Sequence, residues 1–341
     1  MSVIKEKFGK TLAGEDIYIY TICSPSGIKA EILNLGCTVR SLVVSKNDME
    51  YDVVLGRETA EDYLHNKGYL GSTVGRFANR IKNATFDIGG KRFVCKPNRS
   101  GHLLHSGANN FGTMVWEENV VGNDYISLKI VSPDGENGFP GDLTVITTFE
   151  LRNKALKIRY EAMSNKDTIV NLTNHSYFNL NGHDSGSVCN HTLKINADFY
   201  TPMDSDLLPT GEILSVKGTP LDFSDRKPIG KDLGAMKDMG LDGYDHNFVT
   251  RGTGMREIAY LTGDKSGITM TTTTNKPGVQ LFTGQFFDGS LEFKHGARYD
   301  RYQGVCLETQ FFPNCTEFSH FPSAVLKCED KYDYTTIYSF E

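Results

Sequence analysis

Three things are missing from this sequence: a disulfide pattern, a membrane-spanning run and a basic surface. The seven cysteines, Cys23, Cys37, Cys95, Cys189, Cys306, Cys315 and Cys328, are odd in number and contain no C-x-x-C pair. That excludes a disulfide scaffold and fits reduced thiols in the cytoplasm. No apolar run approaches the roughly 18 residues that cross a bilayer, and the opening MSVIKEKFGK has no apolar core of a secretory signal. Sequons such as Asn171-Leu172-Thr173 are therefore read as chance. Lys+Arg 36 against Asp+Glu 42 leaves a net charge of -6, too little positive charge for a nucleic-acid partner. No repeat of fixed period marks a propeller or solenoid. G-x-S-x-G, the P-loop and H-E-x-x-H are all absent, and Gly252-Thr253-Gly254 lacks the third glycine of a dinucleotide fingerprint.

What is present is alternation. Leu156, Ile158, Tyr160 and Ala162 fall on one face of an extended chain, with Lys157, Arg159 and Glu161 on the other. Leu143, Val145, Thr147 and Phe149 repeat the pattern, and residues 151–154 close a hairpin between the two runs. Gly89-Gly90 supplies the positive φ of a second tight turn within 85–94. Further strands are predicted over 28–35, 38–44, 127–131, 168–180, 267–274 and 278–287, with one short helix over 59–65. The long stretches 132–142 and 201–243 read as loops, and long loops on a sheet scaffold tend to face a ligand. With 39% hydrophobic residues and no linker, the pattern predicts one all-β, antiparallel β-sandwich domain spanning 1–341, a monomer or homodimer.

Four segments crowd polar groups into strand-like sequence: GRFANRI at 75–81, HLLHSG at 102–107, NLTNHSYFNL at 171–180 and GVCLETQFFP at 304–313. In the third, alternation puts Asn171, Thr173, His175 and Tyr177 on one face, which is costly to bury unless each polar group finds a partner or a polar ligand. In the fourth, Glu308 sits within apolar sequence, where a carboxylate can serve as a general base. Asn79 and Arg80 offer the mixed donors and acceptors that suit hydroxyl groups. Asp245 could accept from hydroxyls, and Gln280 alternates with Val279 and Leu281 on a strand. His102 and His105 lie three apart without a third ligand, so no metal is expected and His102 reads as structural. The run 242–248 lacks the closing Glu of a calcium loop.

Together GRFANRI, LHSG at 104–107, TNHSYFNL at 173–180, GYDHNF at 243–248, PGVQLFTG at 277–284 and CLETQ at 306–310 resemble the galactose mutarotase (aldose 1-epimerase) family. The resemblance implies a galactose mutarotase-like supersandwich with an open cleft, no cofactor and a free monosaccharide such as galactose or glucose as substrate. It implies Glu308 as the base taking the anomeric proton and His175 as the acid protonating the ring oxygen. His105 would be the partner of His175, and Asn79, Arg80, Asp245 and Gln280 would bind hydroxyls. Acid and base are expected to face each other across the pocket. Ser106 departs from a glycine frequent in the family, which bears on loop shape. A binding module without catalysis, or a mutarotase for phosphorylated hexoses using clustered Arg76 and Arg80, are the competing expectations.

Overall fold

The structure, a computed structural model, describes residues 3–341. Three antiparallel sheets carry the fold. A nine-stranded sheet runs Glu117–Val121, Tyr125–Ser132, Leu143–Arg152, Ala155–Ser164, Tyr332–Phe340, Thr269–Thr274, Arg256–Thr262, Thr192–Ile195 and Lys227–Pro228 in spatial order. An N-terminal sheet holds Ile4–Lys10, Asp16–Cys23, Ile28–Leu33, Thr38–Lys46 and Met49–Asp52. The third, called here the site sheet, runs Leu214–Ser215, Ala197–Thr201, Asp245–Thr250, Gly278–Phe282 and Cys306–Gln310.

The central hairpin forms as its alternation predicts. Leu143, Val145, Phe149, Leu156, Ile158, Tyr160 and Ala162 are buried while their neighbours are half-exposed. Asn153 and Lys154 close the turn at φ 50° and 55°, the positive values a two-residue primed turn requires. Gly89 and Gly90 do the same at φ 58° and 80°. The short helix is Ala60–Leu64, capped by Thr59, whose hydroxyl accepts from the Asp62 N–H while Asp62 reaches back. One continuous apolar cluster joins Leu156 and Ile158 of the large sheet to Val279, Leu281 and Leu307 of the site sheet. It is the core on which the site rests.

Three expectations change. Residues 168–180 do not form one strand: only Thr168–Ile169 and Thr173–Asn174 pair as short strands. The reason is local chemistry. The Asn171 amide donates to the carbonyls of Ala78 and Phe311, and Asn174 donates to Gly71 O while its own carbonyl accepts from Ser176 N–H. These side chains take the place of a ladder. Both sides of the segment are therefore buried, and Asn171 and Thr173 face no cleft. The strand 278–287 stops at Phe282, and the stretch 201–243 carries a second helix, Leu233–Asp238, plus two short strands. No helix among the described residues is long and apolar enough to cross a membrane.

Candidate active site

Strand register builds the floor of the cleft. On the site sheet Asn247 lies opposite Gln280, and Gln280 opposite Glu308. Residues two apart share a face, so Asp245, Gln280, Phe282, Cys306, Glu308 and Gln310 line up on the side away from the core. Leu281 and Leu307 point the other way, into it. His175 arrives from the segment after Thr173–Asn174, held by its N–H to Ser72 O and its carbonyl to Gly71 N–H.

The cleft has a volume of about 410 Å³ and is lined by Asn79, Arg80, His105, His175, Asp245 and Glu308 among others. That size fits the ~300–1,000 Å³ of small-molecule sites. Six of the seven expected residues therefore meet in one cavity. Gln280 does not line it. Only 2% exposed, Gln280 donates to Asp245 Oδ1 at 2.6 Å and accepts from Gln310 Nε2 at 3.0 Å, so it stands behind Asp245.

Glu308 and His175 do not face each other across the space. His175 Nε2 is 3.5 Å from Glu308 Oε1, and the pair sits side by side on the floor. Side-by-side placement suits one anomeric carbon, because its hydroxyl oxygen and the ring oxygen are bonded to the same atom. Glu308 Oε2 is buried and has no hydrogen-bond partner, an acceptor that the fold leaves unsatisfied. Burial, reinforced by the charge of Asp245, pushes the Glu308 carboxyl well above the usual carboxylate range. Burial brings His175 down to about 4. The 3.5 Å contact makes the two groups one coupled pair, between which a proton can be shared.

His105 is fixed differently. Its Nδ1 accepts the Asn79 N–H at 3.1 Å, so a neutral ring carries its hydrogen on Nε2. Its own N–H returns to Asn79 O, and its ring meets His175 edge-on with centroids 5.7 Å apart. Burial, then the neighbouring His175 and Arg80, hold it well below its ordinary value, as a neutral donor. Burial also lowers Arg80, while Asp245 partly offsets this. Asp245 is raised by burial and drawn back by Arg80 and Gln280. Ser106 adopts φ 65°, where glycine is favoured, and its hydroxyl bonds both the N–H and carbonyl of Phe77. The hydroxyl gives this strained turn a tie that glycine would lack.

Tyr69, Tyr177, Phe282 and Phe286 complete the walls; of these the alternation named only Tyr177, on the face of His175. Phe282 was within reach: the alternation that puts Gln280 on one face puts Phe282 there too. Tyr69 and Phe286 lie in irregular segments and left no signal. Arg76 does not join Arg80. Its guanidinium is buried against the carbonyls of Ser132, Pro140 and Gly141, where it ties down the loop 132–142. His102 is structural, accepting the Asn83 N–H at 3.0 Å. His175, Cys306 and Glu308 are the one group of close possible metal ligands among the described residues. The imidazole turns Nδ1 to the thiol and Nε2 to the carboxylate.

An antiparallel sandwich whose cleft pairs a carboxylate with an imidazole, among amide, guanidinium and carboxylate groups that can meet hydroxyls, fits an enzyme that acts on a polyhydroxy substrate. The family model described as aldose 1-epimerase matches residues 18–339. The galactose mutarotase of Homo sapiens is 38% identical over 99% of this chain and 98% of its own. The aldose 1-epimerase of Escherichia coli is 30% identical over 96% of both. Among solved structures, the aldose epimerase homologue from C. elegans superposes with a TM-score of 0.87 at 31% identity, covering 95% of this chain and 98% of that one. The chain belongs to the aldose 1-epimerase family and is an isomerase.

Proposed function

We propose that this chain interconverts the α and β anomers of a free hexose such as galactose or glucose, with Glu308 as base and His175 as acid. The observation that carries the assignment is the buried, half-unpartnered Glu308 carboxylate beside His175 on the floor of a monosaccharide-sized cleft. In the reactive form the shared proton is on His175. Glu308 removes the anomeric O1 proton while His175 Nε2 protonates O5. The C1–O5 bond breaks, an aldehyde forms, and rotation about C1–C2 presents its other face. O5 then closes on C1 as each group returns the proton it exchanged. A positioned acid or base contributes about 10²–10⁴-fold, and orientation on one anomeric carbon adds to this. His105 donates from Nε2 near the ring oxygen. Asn79, Arg80 and Asp245 bind hydroxyls, and Gln280 serves them through Asp245.

Arg76 is committed to its loop and does not join Arg80 in the cleft, so the Arg76–Arg80 cluster expected of a hexose-phosphate site does not form, although Arg99 and Lys67 also line the cleft. We also place the protein in the cytoplasm, on its seven free cysteines, and treat 3–341 as a single domain, since one core cluster runs from Tyr20 to Phe340. Polarimetry of fresh α-galactose and α-glucose tests the reaction. Relaxation well above the spontaneous rate is expected, with hexose 6-phosphates the poorer substrates. No acceleration with any free aldose overturns the proposal.

A further inference from the structure

We infer that Tyr69 is a positioning residue for the proton transfers: its ring packs against His105 and His175 together and keeps the two imidazoles turned toward the ring oxygen. The inference rests on the reading of His175 as the acid and His105 as its partner.

The loop that carries Tyr69 is tied to the acid itself. His175 donates its N–H to Ser72 O at 2.9 Å, and Gly71 N–H returns to His175 O at 3.0 Å. Asn174 donates its side-chain amide to Gly71 O, and the Tyr177 hydroxyl donates to Gly68 O at 2.8 Å. Within the loop, Tyr69 N–H bonds Asn66 O, and Tyr69 O accepts from Ser72 N–H. The Asn66 side chain bonds both the N–H and the carbonyl of Leu70. Held by these ties, Tyr69 sits at φ 57°. A bulky residue rarely takes this left-handed conformation, and it persists where the surroundings over-determine it. The bonds fix the backbone on both sides of Tyr69, and the ring they aim lines the cleft.

The ring meets both histidines. Its centroid lies 4.7 Å from that of His105, edge to face at 63°, and 6.1 Å from that of His175, near-parallel at 28°. Tyr177 and Phe282 also pack on His175, at 5.0 and 6.2 Å. Among the described aromatic side chains, Tyr69 is the one that packs on His175 and His105 alike. The His105 ring has one hydrogen bond, Nδ1 on Asn79 N–H, and a ring held at one atom can still tilt. A close-packed neighbour stops the tilt. Tyr69 also covers the pair from water. Burial holds His175 down to about 4 and His105 well below its ordinary value. The other titratable and charged groups facing the pair are Glu308 and Cys306 on one strand of the site sheet, Asp245 on another, Arg80, and the cleft-wall cations Lys67 and Arg99. All of them stay in place when Tyr69 alone is changed.

The test is polarimetry across pH on Tyr69→Ala and Tyr69→Phe. Tyr69→Ala should lower kcat by about 10–100-fold, the cost of misplaced reacting groups, with KM changed less. Water reaching the two imidazoles should raise both toward the ordinary 6.5. They then take up protons earlier as pH falls, His105 ceases to be a neutral donor, and the acid limb of kcat moves to higher pH. Tyr69→Phe keeps the ring and should recover most of the kcat that alanine loses, together with the position of the acid limb. Tyr69→Gly, at ease at positive φ, stands in if the alanine variant does not fold. Wild-type kcat and acid limb in folded Tyr69→Ala overturn the inference. So does a defect confined to KM, which would make the ring a wall for the sugar and nothing more. Tyr69→Phe as poor as alanine would assign the effect to the hydroxyl and overturn it too. Full turnover in His175→Asn would instead sink the acid assignment itself.

Discussion

Asp52, its side chain 16% exposed, and Glu308, 3% exposed, are treated in opposite ways. Asp52 ends a strand of the N-terminal sheet and accepts from Lys294 Nζ at 2.7 Å, from Ser41 Oγ at 2.7 Å and from Leu42 N–H at 3.2 Å. Burial alone would raise its carboxyl, but Lys294 and then the other donors outweigh that and hold it below its ordinary value. Lys294 in turn donates to the carbonyls of Arg40 and Val54, so neither charge lacks a partner. Glu308 has one long contact, to His175, and an empty second oxygen. A fold that can satisfy a buried carboxylate so fully at Asp52 leaves Glu308 unsatisfied. Such an omission is typical of a group that acts on something else.

The sharpest way to break the contrast is to neutralise each carboxylate's site in turn. Glu308→Gln should cut turnover by about 10²–10⁴-fold, the range for a general base, and His175→Asn should do likewise. Stability of Glu308→Gln should hold or rise, since it replaces an ionisable group that the fold buries with an unpartnered oxygen. A folded Glu308→Gln protein with near-normal polarimetric rates ends the base assignment. Lys294→Met should do the reverse. It leaves Asp52 buried and unpaired, which costs about 3–5 kcal/mol of stability in denaturant titration, while the cleft chemistry of the surviving folded protein is little changed. If Lys294→Met were the milder change for stability, the two carboxylates would not differ as argued.

Stability against pH gives a smaller and more diagnostic effect, because the signs differ. Asp52 has a folded pKa below its unfolded value near 3.8. Its stabilisation is complete above that value and is lost as pH falls through the folded pKa. Glu308 has a folded pKa well above its unfolded value near 4.5. Below 4.5 it is protonated in both states and contributes nothing. As pH rises from there toward the folded pKa, the unfolded state gives up its proton first and stability declines. Glu308→Gln should therefore match wild type in acid and gain on it as pH rises above about 4.5. A constant difference across thermal melts from pH 4 to 8 would mean Glu308 is solvated like any surface carboxylate.

Sequence carried much of this, unevenly. The hairpin 143–164 was legible because alternation and burial agree residue by residue. The segment 168–180 was misread as one strand because its asparagines bond nearby backbone and leave no ladder, which periodicity cannot register. The roles of Glu308 and His175 came from motif resemblance, yet their proximity did not, since they lie 133 positions apart in the chain. Cys306 looked like one more apolar residue of a strand; its partner is 131 positions away. Gln280 was visible as a residue but not as a support, because Asp245 arrives on a different strand. Contacts between strands distant in sequence are what a single sequence hides.

Asp245 is the intermediate case and gives the finest test. Its Oδ1 takes the 2.6 Å bond from Gln280, and Arg80 supplies a charge, but burial still raises it. It is less well served than Asp52 and better than Glu308. Gln280→Leu removes the donor and should push Asp245 further toward the condition of Glu308. A more protonated Asp245 accepts sugar hydroxyls less well. Losing a hydrogen bond to a charged group is worth about 1.5–3 kcal/mol, so kcat/KM should fall by about 10–150-fold. Most of it should appear in KM, since hydroxyl binding is shared by ground and transition states. With the pKa of Asp245 raised, the KM defect should widen as pH falls. If kcat alone dropped, with KM and its pH dependence unmoved, Gln280 would be serving the proton transfers at Glu308 rather than the grip on the sugar.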